Sequence, residues 1–244
     1  MNTNTIALPD RRAHRGYQGQ ETVLRSALEL RYQVYCEECH FLPSDDYPDG
    51  LETDEHDGEA AHFYAFNDEQ ELVGYVRLVR PDARHQFPIQ QHCPPSAIEN
   101  PYLPAPMRAA EISRLMVRQD YRRRRGEFSP AGSADLLAAP VPGDRRHEAT
   151  QVLLNLYRQM YVYSKNSGID YWYAAMERPL ARSLLRMNFS FRCIGPETDY
   201  YGPVAPYLAD LRQLEDQVAE RSPSLLTWLQ ESPTWVGNIA YGNG

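Results

Sequence analysis

Apolar residues between positions 20 and 39 (Val23, Leu24, Ala27, Leu28, Leu30, Tyr32, Val34, Tyr35) recur at helical spacing, which predicts a first helix with Arg31 inside it. The helix breaks at Phe41-Leu42-Pro43. Residues 61–66 alternate as a strand does, 68–71 read as a turn, and 72–80 form a second strand rich in valine and tyrosine, together a hairpin with Arg77 and Arg80 at its end. Seven prolines in 81–108 destroy any period and leave a loop-rich connection with a short helix near 96–100. Residues 111–117, Glu-Ile-Ser-Arg-Leu-Met-Val, have the make-up of a buried strand. Helical periodicity resumes at His147, Gln151, Leu154, Tyr157, Tyr161 and Ser164 and stops at Asn166-Ser167-Gly168, where glycine suits a helix end. A strand at 169–176, a short helix at 179–187, a strand at 189–194, a turn at 200–203 and helices at 207–221 and 225–229 complete the chain.

This order predicts one α/β domain with a mixed central sheet flanked by helices, without internal repeats. The expected boundaries are a flexible N-terminal arm at 1–18, a domain over 19–221 and a C-terminal helix and tail at 222–244. A mobile insertion is expected at about 122–146, where an arginine run gives way to Pro, Gly, Ala and Ser.

The strand at 111–117 is the most informative stretch, because it places an acid and a base in a segment that must be buried. Strict alternation of side chains would put Glu111, Ser113, Leu115 and Val117 on one face and Ile112, Arg114 and Met116 on the other. Burying either charge unpaired costs several kcal/mol, so each must meet a polar partner or line a cleft. Upstream, residues 45–59 form an acidic loop with eight carboxylates, among them Asp54 and Asp57. Loops this long in a compact domain are commonly functional.

Composition narrows the choices. With 244 residues, 42% hydrophobic and 11% aromatic, the chain can bury a sizeable core. A formal net charge of -8 argues against nucleic acid as the main partner, since phosphate binding needs a basic face. Positive charge is local, at Arg122–Arg125 and at 145–146. No apolar run approaches the roughly 20 residues of a membrane span, and the N-terminus lacks a secretory core, so a soluble cytoplasmic protein is expected. Four cysteines make no disulfide framework. Cys36-Glu37-Glu38-Cys39-His40 matches a haem attachment pattern and could join His92-Cys93 around zinc, but one unpaired motif is weak; two small residues packed at a helix end is the simpler reading. No metal or bound cofactor is expected.

The strand Glu-Ile-Ser-Arg-Leu-Met-Val, preceded by Gly74-Tyr75-Val76-Arg77-Leu78-Val79, the acidic loop and the Arg31 helix, resembles the acyl-homoserine lactone (autoinducer) synthases and N-acyl amino acid synthases. The later stretch, from Ala175-Met176-Glu177 through Ile194-Gly195-Pro196 to 201–207, resembles acyltransferases associated with the PEP-CTERM/exosortase system. The resemblance implies a Gcn5-related N-acetyltransferase (acyl-CoA N-acyltransferase)-like fold. It also implies transfer of an acyl group, expected to be long, from an acyl carrier protein or coenzyme A thioester to the amine of an amino-acid-like acceptor. Arg31, Asp54, Asp57, Arg77, Glu111 and Arg114 fall where those synthases keep charged residues. Their tryptophan after the first helix is absent, with Phe41 nearest, and a Gly-x-Gly turn after the central strand is missing. A coenzyme pyrophosphate wants such backbone N–H groups; an arginine cluster suits an acidic carrier protein better, which makes Arg122, Arg123, Arg124 and Arg125 the expected docking residues.

Amide formation from a thioester needs a deprotonated amine, a held carbonyl and donors for the oxyanion. Glu111 is the first candidate base and Glu177, at the end of the neighbouring strand, the second. A salt bridge from Glu111 to Arg31 or Arg77 is the structural alternative. Asp54 and Asp57 could hold an acceptor ammonium, Arg31, Arg77 and Arg114 complete the substrate-binding set, and the backbone of Met116 and Val117 is the candidate oxyanion and pantetheine contact. Tyr171, Tyr173, Tyr200 and Tyr201 read as core or rim. The apolar faces of the 147–166 helix and 169–176 strand are a candidate acyl tunnel. A coenzyme A-dependent N-acetyltransferase and a non-catalytic acyl-ligand or carrier-protein binder are the competing readings.

Overall fold

The computed structural model describes residues 5–7, 18–67, 69–93, 103–121 and 145–231. Its elements are β1 (Thr5–Ala7), α1 (Gln18–Tyr32), β2 (Ala61–Phe66), β3 (Leu72–Val79), α2 (Ile89–His92), β4 (Ala109–Val117), α3 (Arg145–Asn166), β5 (Tyr171–Met176) and α4 (Arg178–Arg186). They continue with β6 (Arg192–Cys193), β7 (Thr198–Asp199), β8 (Pro203–Asp210), α5 (Leu211–Arg221) and α6 (Pro223–Gln230). The strands form one mixed sheet ordered β1-β2-β3-β4-β5-β8-β6, with β7 paired to the start of β8. The β4–β5 pair is parallel; the other pairs are antiparallel.

Two layers of helix cover this sheet. Val152, Leu153, Leu156, Tyr157 and Met160 of α3 pack with Phe63, Val76, Leu78, Ile112, Val117 and Trp172 on the back face. Ala27 and Leu30 of α1, with Val34 beyond it, cover Tyr64, Tyr75 and Met116 on the front face. Gly74 is where β3 meets α3 most closely: a Cβ there would stand 2.5 Å from Val152 Cγ1.

The hairpin, the central strand and the long helix lie where the periodicity puts them. Two expectations change. Residues 207–210 extend a strand instead of opening a helix, because β8 pairs with β5 along Tyr171↔Asp210 to Met176↔Ala205. The helix begins one residue later, where the Asp210 carboxylate accepts the N–H groups of Arg212 and Gln213 as an N-cap. Within the expected N-terminal arm, residues 5–7 pair with β2 as an edge strand. The helix near 96–100, most of the 122–146 insertion and the tail from 232 lie outside the described residues. Among the described residues no helix is long and apolar enough to cross a membrane.

Two irregularities build the site. β4 and β5 pair only from Ala109↔Tyr171 to Ile112↔Ala174, after which β4 stays with β3 and β5 with β8. The sheet therefore parts at Ile112 and Ala174. Second, β4 carries an extra residue against β3, since Tyr75 opposes Met116 but Arg77 opposes Ser113. Arg114 takes a positive φ of 55° there. Such a bulge breaks the alternation of faces. Glu111, Ser113, Arg114 and Met116 consequently meet front-face partners, and the expected separation of Glu111 and Arg114 onto opposite faces is not what the chain does.

Candidate active site

The three arginines of the sequence reading converge with three carboxylates under the acidic loop. Arg31 Nε donates to Glu52 Oε2 at 2.5 Å and its Nη1 to Asp57 Oδ1 at 2.5 Å. Arg77 grips both oxygens of Asp54 at 2.6 Å and also reaches Asp57. Arg114 takes Glu52 through Nε and Nη2, at 3.2 and 2.9 Å, and Asp54 at 3.1 Å. Formal charges cancel, which is what lets Arg31, Glu52 and Arg77 sit essentially without solvent exposure. Burial opposes each carboxylate charge, but the arginine hydrogen bonds and charges outweigh it and hold Glu52, Asp54 and Asp57 below the usual carboxylate range. Asp54 and Asp57 are thus each paired with arginines.

Glu52 was not singled out in the sequence; the only signal for it is membership of the acidic loop. It makes the bridge between first helix and central strand that the sequence offered to Glu111. Its N–H also donates to the carbonyl of Leu28 in α1, at 3.2 Å. His62 on β2 fastens the other end of the loop. Its Nε2 lies 2.9 Å from the carbonyl of Asp57, which can only accept, so Nε2 carries the proton and Nδ1 accepts from the Tyr75 hydroxyl at 2.7 Å. Burial lowers the His62 pKa and keeps the ring neutral.

Glu111 stands apart from this network. It is 4% exposed, and no ion pair to it exists among the described residues. Its Oε2 accepts the backbone N–H of Ile89 at 2.7 Å. Burial pushes its carboxyl up to about 7, partly offset by the Ile89 N–H and by Arg77 and Arg114. Glu177, at the N-cap of α4, is raised more simply by burial.

A groove of about 130 Å³ opens at the parting of the sheet. Its walls are residues 111–115 of β4 and 174–177 of β5 and its end, joined by Tyr35, Phe41, Tyr200 and Tyr201 in front and Tyr157 and Leu180 behind. Both candidate bases, Glu111 and Glu177, line it. Met116 and Val117 do not: their side chains are buried under α1 and α3, and the strand positions that reach the groove lie upstream of them. A second cavity, of about 220 Å³, adjoins on the front and is lined by Asp54, His56, Arg77, Gln91, His92 and neighbours. Ser113, Arg114, Tyr200 and Tyr201 line both.

An aromatic roof covers that junction. A π-helical turn at Gln33–Glu38 carries Tyr35 over the Arg114 guanidinium, 4.8 Å from ring centre to charge. Phe41 stacks on Tyr201 at 5.6 Å and His92 on Tyr200 at 3.8 Å. Tyr200 and Tyr201, read from the sequence as core or rim, lie at the rim of both cavities; which cavities they border carries no signal in a turn of aromatics. Tyr171 and Tyr173 are, as read, packing residues of the front-face cluster. Arg122, Arg123, Arg124 and Arg125 lie outside the described residues. Cys36, Cys39 and Cys93 are buried and not in disulfides.

A mixed sheet that parts between its two parallel central strands, with helices on both faces, defines the Gcn5-related N-acetyltransferase fold. Residues 30–129 match the family model described as acetyltransferase (GNAT) domain. Among solved structures, the chain is similar to the coenzyme A-dependent acyl-homoserine lactone synthase BjaI, solved with SAM and isopentyl-CoA, at 19% identity and TM-score 0.62, covering 90% of this chain and 89% of that one. It is also similar to the AHL synthase LasI at 16% identity and TM-score 0.56, covering 85% and 89%. A third likeness is to FeeM, an N-acyl amino acid synthase from uncultured soil microbes, at 15% identity and TM-score 0.54, covering 90% and 96%. No curated protein sequence matches. Domain and fold together support an N-acyltransferase enzyme.

Proposed function

We propose that the chain transfers an acyl group from a thioester to the amine of a small acceptor by direct attack, at the point where β4 and β5 part. The observation that carries this reading is the junction of two cavities. One runs between the strands and can take a thioester arm; the other is polar and can take an amine. They share a boundary at Ser113, Arg114, Tyr200 and Tyr201.

In this reading the edge of β4 that faces the gap, at 113–115, offers backbone groups to the donor arm and to the developing oxyanion. The attacking nitrogen bonds to the thioester carbon and the C–S bond breaks. One amine proton passes to Glu111, directly or through water, and a proton returns to the leaving thiolate, giving amide and free thiol. A carboxyl titrating near 7 is suited to such exchange at neutral pH. Glu177 is the alternative base. The Arg31–Arg77–Arg114 network serves here to hold the loop and Arg114 rigid, with Arg114 as a wall of the acceptor cavity.

For the donor, an acidic acyl carrier protein is favoured by α4. Arg178, Arg182 and Arg186 recur every four residues on its exposed side, while Leu180 and the N-cap Glu177 line the groove. Coenzyme A is the second reading, favoured by the likeness to the coenzyme A-dependent BjaI. The acceptor is an amino-acid-like amine. Release of free thiol from acyl carrier protein or acyl-CoA in the presence of mixed amino acids, with the amide identified by mass, tests the proposal. A protein that binds the donor but releases no thiol with any amine refutes it in favour of a binding protein.

A further inference from the structure

The groove has a back wall, centred on one residue. Of the described α3 residues only Tyr157 reaches the lining; Val152, Leu153, Leu156 and Met160 are spent in the core instead of facing a tunnel. Tyr157 is 1% exposed and its ring is held by Phe189 at 4.8 Å, Trp172 at 6.1 Å and Phe191 at 6.5 Å. Leu180 of α4 and Met176 of β5 complete this end. At about 130 Å³ the groove is smaller than the roughly 300–1,000 Å³ of ordinary small-molecule sites. A close-packed ring in such a wedge does not yield without repacking its neighbours.

We propose that Tyr157 is the chain-length stop of the acyl site, and that the enzyme takes short acyl groups, of about six carbons or fewer. This inference rests on the acyl-transfer reading above and replaces the long chain expected from the sequence. Aromatic neighbours hold the Tyr157 ring in place, so the ring, not the hydroxyl, is the stop.

The test uses the full chain with acyl thioesters of two to sixteen carbons, on both carrier protein and coenzyme A, and amide formation read by mass. Length dependence of binding is read in parallel with non-transferable thioether analogues of the same donors. Wild type should lose at least about thirtyfold in kcat/KM between six and sixteen carbons, a modest loss for methylenes that find no room. Tyr157→Leu should move the optimum to longer chains, and Tyr157→Phe should keep the wild-type cut-off. Equal use or binding of all lengths by wild type overturns the stop and leaves acyl transfer standing. Length-selective binding without turnover by any donor keeps the stop and overturns the acyl-transfer reading.

Discussion

Arg114 and Glu52 meet as a fork, Nε and Nη2 against the two carboxylate oxygens at 3.2 and 2.9 Å, across 62 residues of sequence. Glu52 gives its remaining bonding to Arg31. One fully buried carboxylate therefore joins the first helix, the acidic loop and the bulge of the central strand. Its removal leaves two buried guanidiniums short of a partner, and breaking a buried pair from one side costs about 3–5 kcal/mol. Glu52→Ala should lower the urea midpoint by a corresponding amount with unchanged m-value. A loss under 1 kcal/mol would mean that the network is not what holds the loop.

Glu111 should separate rate from stability. Its raised pKa means that the folded state binds more protons than the unfolded state between about 4.5 and 7, so the group costs stability as pH rises through that window. Glu111→Gln removes that cost and can still accept the Ile89 N–H. The variant should be as stable as wild type at pH 5 and more stable at pH 8, by an amount on the order of 1–3 kcal/mol. Its turnover should fall at least about 100-fold, with loss of the wild-type rise in kcat/KM through pH 7. A variant less stable at pH 8 would assign Glu111 to the framework.

Glu52, Asp54 and Asp57 run the other way. Their pKa values are depressed in the fold, so the stabilisation they carry is complete above their ordinary range and is lost as pH falls below about 4. The neutral, buried His62 adds a loss that begins below about pH 6.5. In a Glu111→Gln background, which removes that group's opposite trend, chemical denaturation between pH 7 and pH 3 should show falling stability, and the part beginning near pH 6.5 should vanish on adding His62→Gln. Unaltered pH dependence in that variant would remove His62 from the explanation.

Gly74→Ala probes the closest contact between sheet and helix. The added methyl meets Val152 Cγ1 at 2.5 Å, inside contact distance, and its other neighbours are Leu156 and Ala65. Overpacking of this kind costs about 1–3 kcal/mol. Thermal unfolding should show it, and combining the change with Val152→Ala should restore part of the loss. An additive double variant would place the strain elsewhere.

The exposed face of α4 separates the two donors. Reversing Arg178, Arg182 and Arg186 to Glu should raise KM for acyl carrier protein at least about tenfold and weaken its salt dependence, while leaving acyl-CoA turnover within about twofold. Equal effects on both donors would point to damage at the groove, which starts one residue before Arg178.

Local patterning accounts for the elements with strong periods and for the chemistry they carry. The hairpin, the strand at 111–117 and the 22-residue helix α3 follow from apolar patterning, which is local. Arg31, Arg77, Arg114, Asp54 and Asp57 were legible as charges placed where a core must be, since burial demands partners. Tertiary structure decided who those partners are. Nothing local distinguishes Glu52 from the other carboxylates of its loop, and only the docking of that loop on α1 selects it. The bulge at Arg114 is equally invisible in sequence, because a single extra residue against β3 changes no periodicity but turns one side chain to the other face. Strand β8 hid behind two prolines, tolerated there although they cannot donate to a ladder. The groove exists because β4 and β5 each keep an outer partner and abandon one another after Ile112 and Ala174, a long-range competition for pairing that a one-dimensional pattern does not contain.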